Sequence, residues 1–232
     1  MPGILYLIPV PIADHALHTL PAEISTITAK LRFFFAENAR TSRRFIKQLH
    51  PQMVIEELEF SEIDKHTGAD FQLLKKWLRE GLDVGVMSEA GCPGIADPGG
   101  ELVAIAYSVG ATVKPLTGPN SMMLALMASG LNGQSFAFHG YLPVKEPARS
   151  TRIKALEQLS GKEQQTQLFI ETPYRNNALL EDLLKNCQPA TRICIAQHLT
   201  AANEWIKTRT AAEWKKEQRD LEKTPAVFLI LA

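Results

Sequence analysis

Short runs of strand-forming residues alternate with amphipathic helical stretches through the first half of the chain. This alternation restricts the fold more than any other feature. Strands of this kind pair in parallel and are covered by the helices that connect them. The pattern predicts strands at residues 4–8, 31–36, 53–58, 83–87 and 111–116, and helices at 69–80 and 101–109. We therefore expect an α/β unit with a mostly parallel sheet.

The second half of the chain has a different rhythm. Its patterns predict helices at 121–129 and 148–159, a capped helix from 210, and strands at 135–139, 167–171, 192–197, 204–208 and 226–231. Neighbouring strands without a long crossover between them predict some antiparallel pairing, and hence a mixed sheet. The expected organisation is an N-terminal α/β domain at 1–116 and a C-terminal α/β domain at 117–232.

The composition fits a folded protein and excludes two broad classes. Hydrophobic residues make up 45% of the 232 residues, too many for a chain that stays disordered. The longest apolar run, residues 4–13, falls short of the roughly 20 residues that span a bilayer, so we expect no membrane segment. Twenty-five basic residues balance 25 acidic ones, so the whole-chain charge does not indicate nucleic-acid binding. Three cysteines outside any paired motif predict reduced thiols in a cytoplasmic protein.

Several common catalytic signatures are absent from the sequence. It contains no G-x-G-x-x-G after the first strand, no Walker loop, no G-x-S-x-G elbow and no H-E-x-x-H. His15 and His18 lack a third ligand nearby, so we expect no metal site. A cysteine hydrolase that uses Cys92 as its nucleophile remains an alternative, since a partner histidine could come from elsewhere in the fold.

The most informative segment is the loop at residues 88–100. It holds four glycines and two prolines among thirteen residues, and it leaves the carboxyl end of a predicted buried strand. Ligands of open α/β sheets bind at such ends, where glycines let the backbone approach and prolines fix the loop. Glu89 and Asp97 could accept hydrogen bonds from sugar hydroxyls or face a cationic ligand. The alternative interpretation is a tight surface turn.

Two further loops have the same character. Residues 6–12 end the first strand in prolines, and residues 117–122 enter a helix through Gly-Pro. Such a helix entry presents free backbone N–H groups. Together, three rigid loops from both halves predict a small-molecule cleft between the domains, with the ligand recognised largely by main chain.

These three loops resemble the S-adenosylmethionine-dependent tetrapyrrole methylase superfamily. Its branch that 2′-O-methylates a ribose of 16S ribosomal RNA reads S-D-A-G-T-P-x-x-S-D-P-G where this chain reads S-E-A-G-C-P-G-I-A-D-P-G. Four further segments resemble that branch in order: E-N-A-R at 37–40, G-Y-L-P-V-K at 140–145, E-T-P-Y-R at 171–175, and L-T followed by Glu at 199–204. The similarity therefore covers nearly the whole chain.

The resemblance implies a two-domain fold, a homodimer, and S-adenosylmethionine bound in the cleft between the domains. By the same resemblance, the cofactor pocket is assigned to Pro9, Glu89, Gly91, Ile95, Ser121, Met122, Leu199 and Pro225. The implied partner is ribosomal RNA or the small ribosomal subunit. A tetrapyrrole methylase of the same fold and a non-catalytic S-adenosylmethionine-binding protein remain alternatives.

A ribose hydroxyl needs a base or a hydrogen-bond acceptor before it can take a methyl group. Glu37 is the candidate, with Arg40 orienting it or holding a phosphate; the alternative is a purely structural Glu37–Arg40 pair. Three positions depart from the family pattern, and at one of them Ala13 stands where the family often has glycine. Glu89 replaces an aspartate, and Asn38 replaces the aspartate of E-D-T-R.

RNA binding also requires a local positive surface, because phosphate contacts dominate affinity. Two clusters qualify: residues 40, 43, 44 and 47, which share one helical face, and residues 145, 149, 152 and 154. From them, Arg43, Arg44, Lys145 and Arg149 are the predicted substrate-binding residues. A solvated helix face is the alternative explanation for the first cluster.

Overall fold

The chain divides into two compact units, Met1–Asn120 and Ser121–Ala232. The division follows Asn120, four residues after the boundary placed at 116 from the sequence. The computed structural model describes residues 1–64, 68–97, 99–217 and 220–232. Among these residues, no helix has both the length and the apolar character needed to cross a membrane.

The first unit contains a five-stranded parallel sheet in the order β3-β2-β4-β1-β5. Its strands are β1 (Ile4–Leu7), β2 (Phe33–Ala36), β3 (Glu59–Glu62), β4 (Val84–Met87) and β5 (Thr112–Pro115). Its helices are α1 (Ala22–Thr28), α2 (Ala39–Leu49), α3 (Phe71–Arg79) and α4 (Gly99–Ser108).

The predicted strand at 53–58 is wrong. That stretch holds a one-turn 3₁₀ helix, Ile55–Glu57, and the strand follows it as β3. Met53 and Ile55 pack against the apolar cluster under α1 and α2 instead of entering the sheet. β3 is an edge strand that pairs only with β2, so a half-exposed, largely polar sequence is sufficient for it.

Alternate side chains of the central strands point to opposite faces of this sheet, as the two-residue period of a strand requires. Leu5, Val84 and Val86 pack with α3 and α4, whereas Tyr6, Ile8 and Met87 pack with α1 and α2. The chain therefore leaves the neighbouring strands β1 and β4 toward opposite faces. In open α/β sheets this divergence opens a crevice at the carboxyl ends of the two strands.

The second unit contains a mixed five-stranded sheet in the order β6-β7-β10-β8-β9. Its strands are β6 (Phe136–Tyr141), β7 (Thr166–Glu171), β8 (Arg192–Gln197), β9 (Trp205–Thr210) and β10 (Ala226–Leu231). Its helices are α5 (Ser121–Ser129), α6 (Ala148–Glu163), α7 (Asn176–Asn186) and α8 (Ala211–Glu217). One parallel and one mixed sheet, each covered by helices, confirm the predicted fold class.

Strand directions bring several chain segments to one edge of the second sheet. β6 and β7 are parallel, and β10 is antiparallel to both β7 and β8. The carboxyl ends of β6, β7 and β8 therefore share one edge with the start of β10. We call this the carboxyl edge of the second sheet.

Candidate functional site

Three loops of the first unit meet at the carboxyl ends of the adjacent strands β4, β1 and β5. Val10 and Gly91 form an antiparallel bridge, with N···O distances of 2.9 and 3.2 Å. The Cys92 thiol donates to the Pro119 carbonyl at 3.3 Å. The proline loop after β1 and the Gly-Pro loop after β5 are thus both attached to the glycine-rich loop after β4.

Two glycines allow these loops to pack closely. A Cβ on Gly118 would lie 2.1 Å from the Pro9 Cβ, far inside van der Waals contact. Gly91 has φ = +75°, and a Cβ there would lie 3.4 Å from the Pro119 oxygen. The loops therefore present backbone rather than side chains, as a ligand recognised by main chain requires.

Asp97 shapes the glycine-rich loop from within. Its Oδ1 accepts hydrogen bonds from the backbone N–H groups of Gly94 at 2.6 Å and Gly99 at 2.8 Å. Burial raises the pKa of this carboxyl group, although these hydrogen bonds and one from Ser88 act in the opposite direction. Asp97 thus uses this oxygen to stabilise the conformation of its own loop. This structural role accounts for an aspartate at position 97 without any contact to a ligand.

Glu37, Asn38 and Glu89 form one connected group beside this loop. The Glu37 Oε2 accepts from the Glu89 backbone N–H at 2.8 Å. The Asn38 Oδ1 accepts from the N–H groups of Arg40 at 3.0 Å and Thr41 at 3.2 Å, so this side chain caps α2. Its Nδ2 donates to the Glu89 Oε1 at 3.3 Å. Two of the positions that depart from the family pattern, Asn38 and Glu89, are therefore in contact with each other.

A cleft with a volume of about 410 Å³ lies at this end of the first sheet. Its lining comes from residues 10–17 after β1, from Ser88 and Glu89 after β4, and from Thr41, Ser42, Arg44, Phe45 and Gln48 of α2. A volume of this order lies within the range of about 300 to 1,000 Å³ found for small-molecule sites. Arg44 places a permanent positive charge on its wall.

Leu199 lies at the carboxyl edge of the second sheet in a strained loop. His198 and Thr200, on either side of it, have φ values of +54° and +69°, which non-glycine residues rarely adopt. The Thr200 N–H donates to the Glu204 carboxylate at 2.8 Å, and Leu199 itself is buried. Strained backbone of this kind clusters at functional sites.

Two buried amides fix the segment that precedes Pro225. The Asn176 Nδ2 donates to the Thr224 oxygen at 2.8 Å, and the Gln197 Nε2 donates to the Glu222 oxygen at 2.9 Å. Both side chains are about 1% exposed. Neither residue was predicted from the sequence. The available signal for Gln197 was a polar residue at the end of a predicted apolar strand, whereas Asn176 lies at the start of a helix, five residues after β7 ends.

Three buried acceptor atoms at the carboxyl edge have no hydrogen-bond partner among the described residues. They are the Glu171 Oε2, the Asn176 Oδ1 and the Thr200 Oγ1. Buried polar atoms are normally hydrogen-bonded, so unpaired acceptors indicate a place for a donor from outside the chain.

Comparison with known proteins places this arrangement in a family. A family model described as Tetrapyrrole (Corrin/Porphyrin) Methylases matches residues 5–215. The chain belongs to this family. As the sequence resemblance predicted, it is a methyltransferase that depends on S-adenosylmethionine.

Two relatives and one solved structure illustrate the similarity. The chain is 30% identical to Ribosomal RNA small subunit methyltransferase I of Vibrio cholerae, covering 98% of this chain and 76% of the relative. It is 32% identical to the protein of the same name from Synechocystis, covering 87% and 69%. Uroporphyrin-III C-methyl transferase from Thermus thermophilus, solved with S-adenyl homocysteine, matches with a TM-score of 0.59 at 15% identity, covering 98% of this chain and 97% of that one.

The chemistry of the carboxyl edge of the second sheet fits the cofactor of tetrapyrrole methylases. S-adenosylmethionine carries an ammonium group, an exocyclic amine and two ribose hydroxyls, all of which donate hydrogen bonds. The unpaired acceptors at this edge are suited to such donors. Among the described residues, no group of three His, Cys, Asp or Glu side chains could hold a metal ion.

The other predicted cofactor residues lie in or beside these loops. Ile95 is 47% exposed on the glycine-rich loop, where its apolar side chain can cover a ligand. Ser121 begins α5 and its hydroxyl contacts the Met122 sulfur at 3.3 Å. Pro225 is exposed directly before β10.

The predicted RNA-contacting residues have unequal environments. Lys145 is exposed after β6. The Arg43 guanidinium stacks over the Phe60 ring, 4.9 Å from its centroid. Arg149 forms an ion pair with Asp182 at 2.7 Å, and its side chain is only 11% exposed. Arg149 therefore has a structural partner that the charge pattern alone did not reveal.

Cys92 does not have the environment of an activated nucleophile. Burial raises the pKa of its thiol, and Asp97 adds to the increase. A thiol whose pKa is raised stays protonated at neutral pH and is a weak nucleophile. This environment argues against the cysteine hydrolase alternative and gives Cys92 the role of joining two loops.

Proposed function

We propose that this tetrapyrrole methylase family member 2′-O-methylates a ribose in the RNA of the small ribosomal subunit. The structural observation that carries the proposal is Arg44 on the wall of the 410 Å³ cleft, beside the Glu37–Glu89 contact. A permanent cation on the wall of the cleft suits a polyanionic substrate. The names of the relatives that match nearly the whole chain support the same substrate.

The proposed cofactor-binding residues are those that the family resemblance implies. Pro9, Glu89, Gly91 and Ile95 belong to the first unit, and Ser121, Met122, Leu199 and Pro225 to the second. When bound, S-adenosylmethionine supplies a methyl group on a sulfonium, which is already a good leaving group. The chain's contribution is mainly to bind and orient, which in well-aligned reactions lowers barriers by about 7 to 11 kcal/mol.

Glu37 is the proposed acceptor for the ribose hydroxyl. The Glu89 N–H holds its Oε2, so the carboxylate is fixed, and no donor among the described residues occupies Oε1. That oxygen can accept the hydroxyl proton as the hydroxyl oxygen takes the methyl group. Arg40, exposed in the first turn of α2, is placed to hold an adjacent phosphate.

We assign Arg43, Arg44 and Lys145 to the RNA backbone. Arg149 is better assigned to the fold, because removing it would leave Asp182 partly buried without its cation. We also propose a homodimer, on the family resemblance alone. A cytoplasmic location follows from the proposed substrate.

The test is transfer of labelled methyl from S-adenosylmethionine to small ribosomal subunits that lack the modification, beside a parallel assay on a tetrapyrrole. We expect label in the RNA only. Arg44→Gln should reduce the transfer about tenfold by raising KM, consistent with the loss of one charged contact. Arg79→Gln is the matched control, since Arg79 is an exposed arginine at the end of α3. Label in the tetrapyrrole and none in RNA would replace this proposal with the tetrapyrrole alternative.

A further inference from the structure

Arg175 is held unusually firmly at the carboxyl edge of the second sheet. The Glu171 side chain is fully buried, and its Oε1 accepts from the Arg175 Nε at 2.9 Å and Nη2 at 2.6 Å. The same oxygen accepts from the Thr172 N–H at 2.6 Å. About a third of the Arg175 side chain stays exposed, and Nη1 is not used by Glu171. The guanidinium is therefore fixed in place with donors still available on its outer side.

One exposed tyrosine interacts electrostatically with this guanidinium, and another directly precedes Arg175 in the chain. The register of β6 against β7 shifts between Phe138 and Tyr141, and Gly140, which lies in this irregular stretch, has φ = +63°. Tyr141 emerges there 58% exposed, near enough to Arg175 to interact with it electrostatically. Tyr174 precedes Arg175 on the 3₁₀ turn Pro173–Arg175 and is 86% exposed.

We propose that Tyr141, Tyr174 and Arg175 form a binding surface for single-stranded RNA, with the tyrosines stacking on bases and the guanidinium holding a phosphate. The inference rests on the proposed RNA substrate and extends it to the second unit. Exposed aromatic rings beside fixed cations are typical of sites for unpaired nucleotides, because every base has a face on which a ring can stack.

The position and charge of this surface fit that occupant. It lies at the same sheet edge as Leu199 and Pro225, two of the proposed cofactor residues. Lys145 is exposed four residues after Tyr141 in the chain. Because Glu171 already immobilises Arg175, little side-chain entropy remains to be lost when a phosphate binds.

The experiment measures binding of small ribosomal subunits and of a labelled single-stranded RNA oligonucleotide to the full chain. Tyr174→Ala should raise the Kd for both about tenfold, which corresponds to the loss of one stacked base. Tyr174→Phe should keep wild-type affinity, because stacking needs the ring and not the hydroxyl. Tyr107→Ala is the matched control, since Tyr107 is a 64% exposed tyrosine on α4 of the first unit. Binding of S-adenosylhomocysteine should be unchanged in all three variants.

Three results would overturn the surface. If Tyr174→Ala binds RNA with wild-type affinity, the proposed RNA-binding surface is wrong, while the proposed function still stands. A parallel loss of S-adenosylhomocysteine binding would show that Tyr174 supports the cofactor site instead. If the wild type neither binds nor methylates the subunits, the proposed function fails together with the surface.

Discussion

Replacing Gly118 with alanine is the sharpest test of how the first unit builds its ligand-binding loops. The added Cβ would lie 2.1 Å from the Pro9 Cβ and 2.5 Å from its Cγ. Ordinary van der Waals contact begins near 3.4 Å, so the two loops must separate by about 1.3 Å (3.4 − 2.1). Because the Pro9 ring cannot rotate out of the way, the clash must be relieved by a shift of the backbone in the two loops.

The expected cost follows from overpacking at a site that cannot relax by changing a rotamer. Such substitutions destabilise by about 1 to 3 kcal/mol. For a chain of this length, each kcal/mol lowers the melting temperature by about 2 to 4 °C, so the total decrease should be about 2 to 12 °C. Separation of the two loops by more than 1 Å should also weaken S-adenosylhomocysteine binding by about tenfold, equivalent to about 1.4 kcal/mol.

The assay is thermal unfolding together with calorimetric titration of S-adenosylhomocysteine. Gly133→Ala is the matched control, because Gly133 also lacks a positive φ and a Cβ there would meet nothing within 4 Å. We expect that control to match the wild type in both measurements. If Gly118→Ala melts and binds like Gly133→Ala, the close packing of the loops is not what shapes the site.

Three further changes test the roles assigned around the glycine-rich loop. Cys92→Ser should retain methyl transfer within about twofold, because the thiol joins loops and does no chemistry; complete loss in a variant that still binds S-adenosylhomocysteine would contradict this. Since burial raises the pKa of Asp97, the folded chain loses stability as pH rises from the ordinary value through the raised one. The melting temperature of Asp97→Asn relative to wild type should therefore increase as the pH rises above the ordinary carboxyl pKa of about 3.9, and a constant difference would refute the assignment. Asn38→Asp, which sets a carboxylate against Glu89, should weaken S-adenosylhomocysteine binding about fivefold. Adding the shorter Glu89→Asp should recover most of the affinity, and equal affinities in the single and double variants would show that the two positions are not coupled.

Local sequence signals predicted the loops well. Glycine and proline interrupt the chain directly after buried strands, and such signals act within a few residues, so the loops after β1, β4 and β5 could be placed from sequence. The same holds for the start of α8, where Thr210 and Glu213 form the predicted reciprocal cap.

Edge strands are harder to predict because they need little apolar character. Residues 53–58 carry more apolar side chains than Glu59–Glu62, yet only the latter pair with β2. Met53 and Ile55 supply their apolar surface to a helix-covered cluster instead. Composition alone does not distinguish these two ways of burying a side chain.

Contacts between residues far apart in the chain could not be predicted from the sequence. Positions 38 and 89 are 51 residues apart, and they meet only because β2 and β4 are neighbours in the sheet. The Arg149–Asp182 pair depends in the same way on the packing of α6 against α7. Such partners decide whether a charged residue is free to bind a substrate. The charge pattern alone therefore predicted Arg149 as an RNA-binding residue without revealing its ion pair with Asp182.

The most direct test of the account is the chemical position of the transferred methyl. Small ribosomal subunits are labelled with the purified protein and methyl-labelled S-adenosylmethionine, and their RNA is hydrolysed completely in alkali. A 2′-O-methyl group blocks cleavage of the adjacent phosphodiester, because the 2′-oxygen can no longer attack the phosphate. We predict that the label resides in an alkali-resistant dinucleotide. Label released in ordinary mononucleotides would place the methyl on a base, and would contradict the ribose as the acceptor.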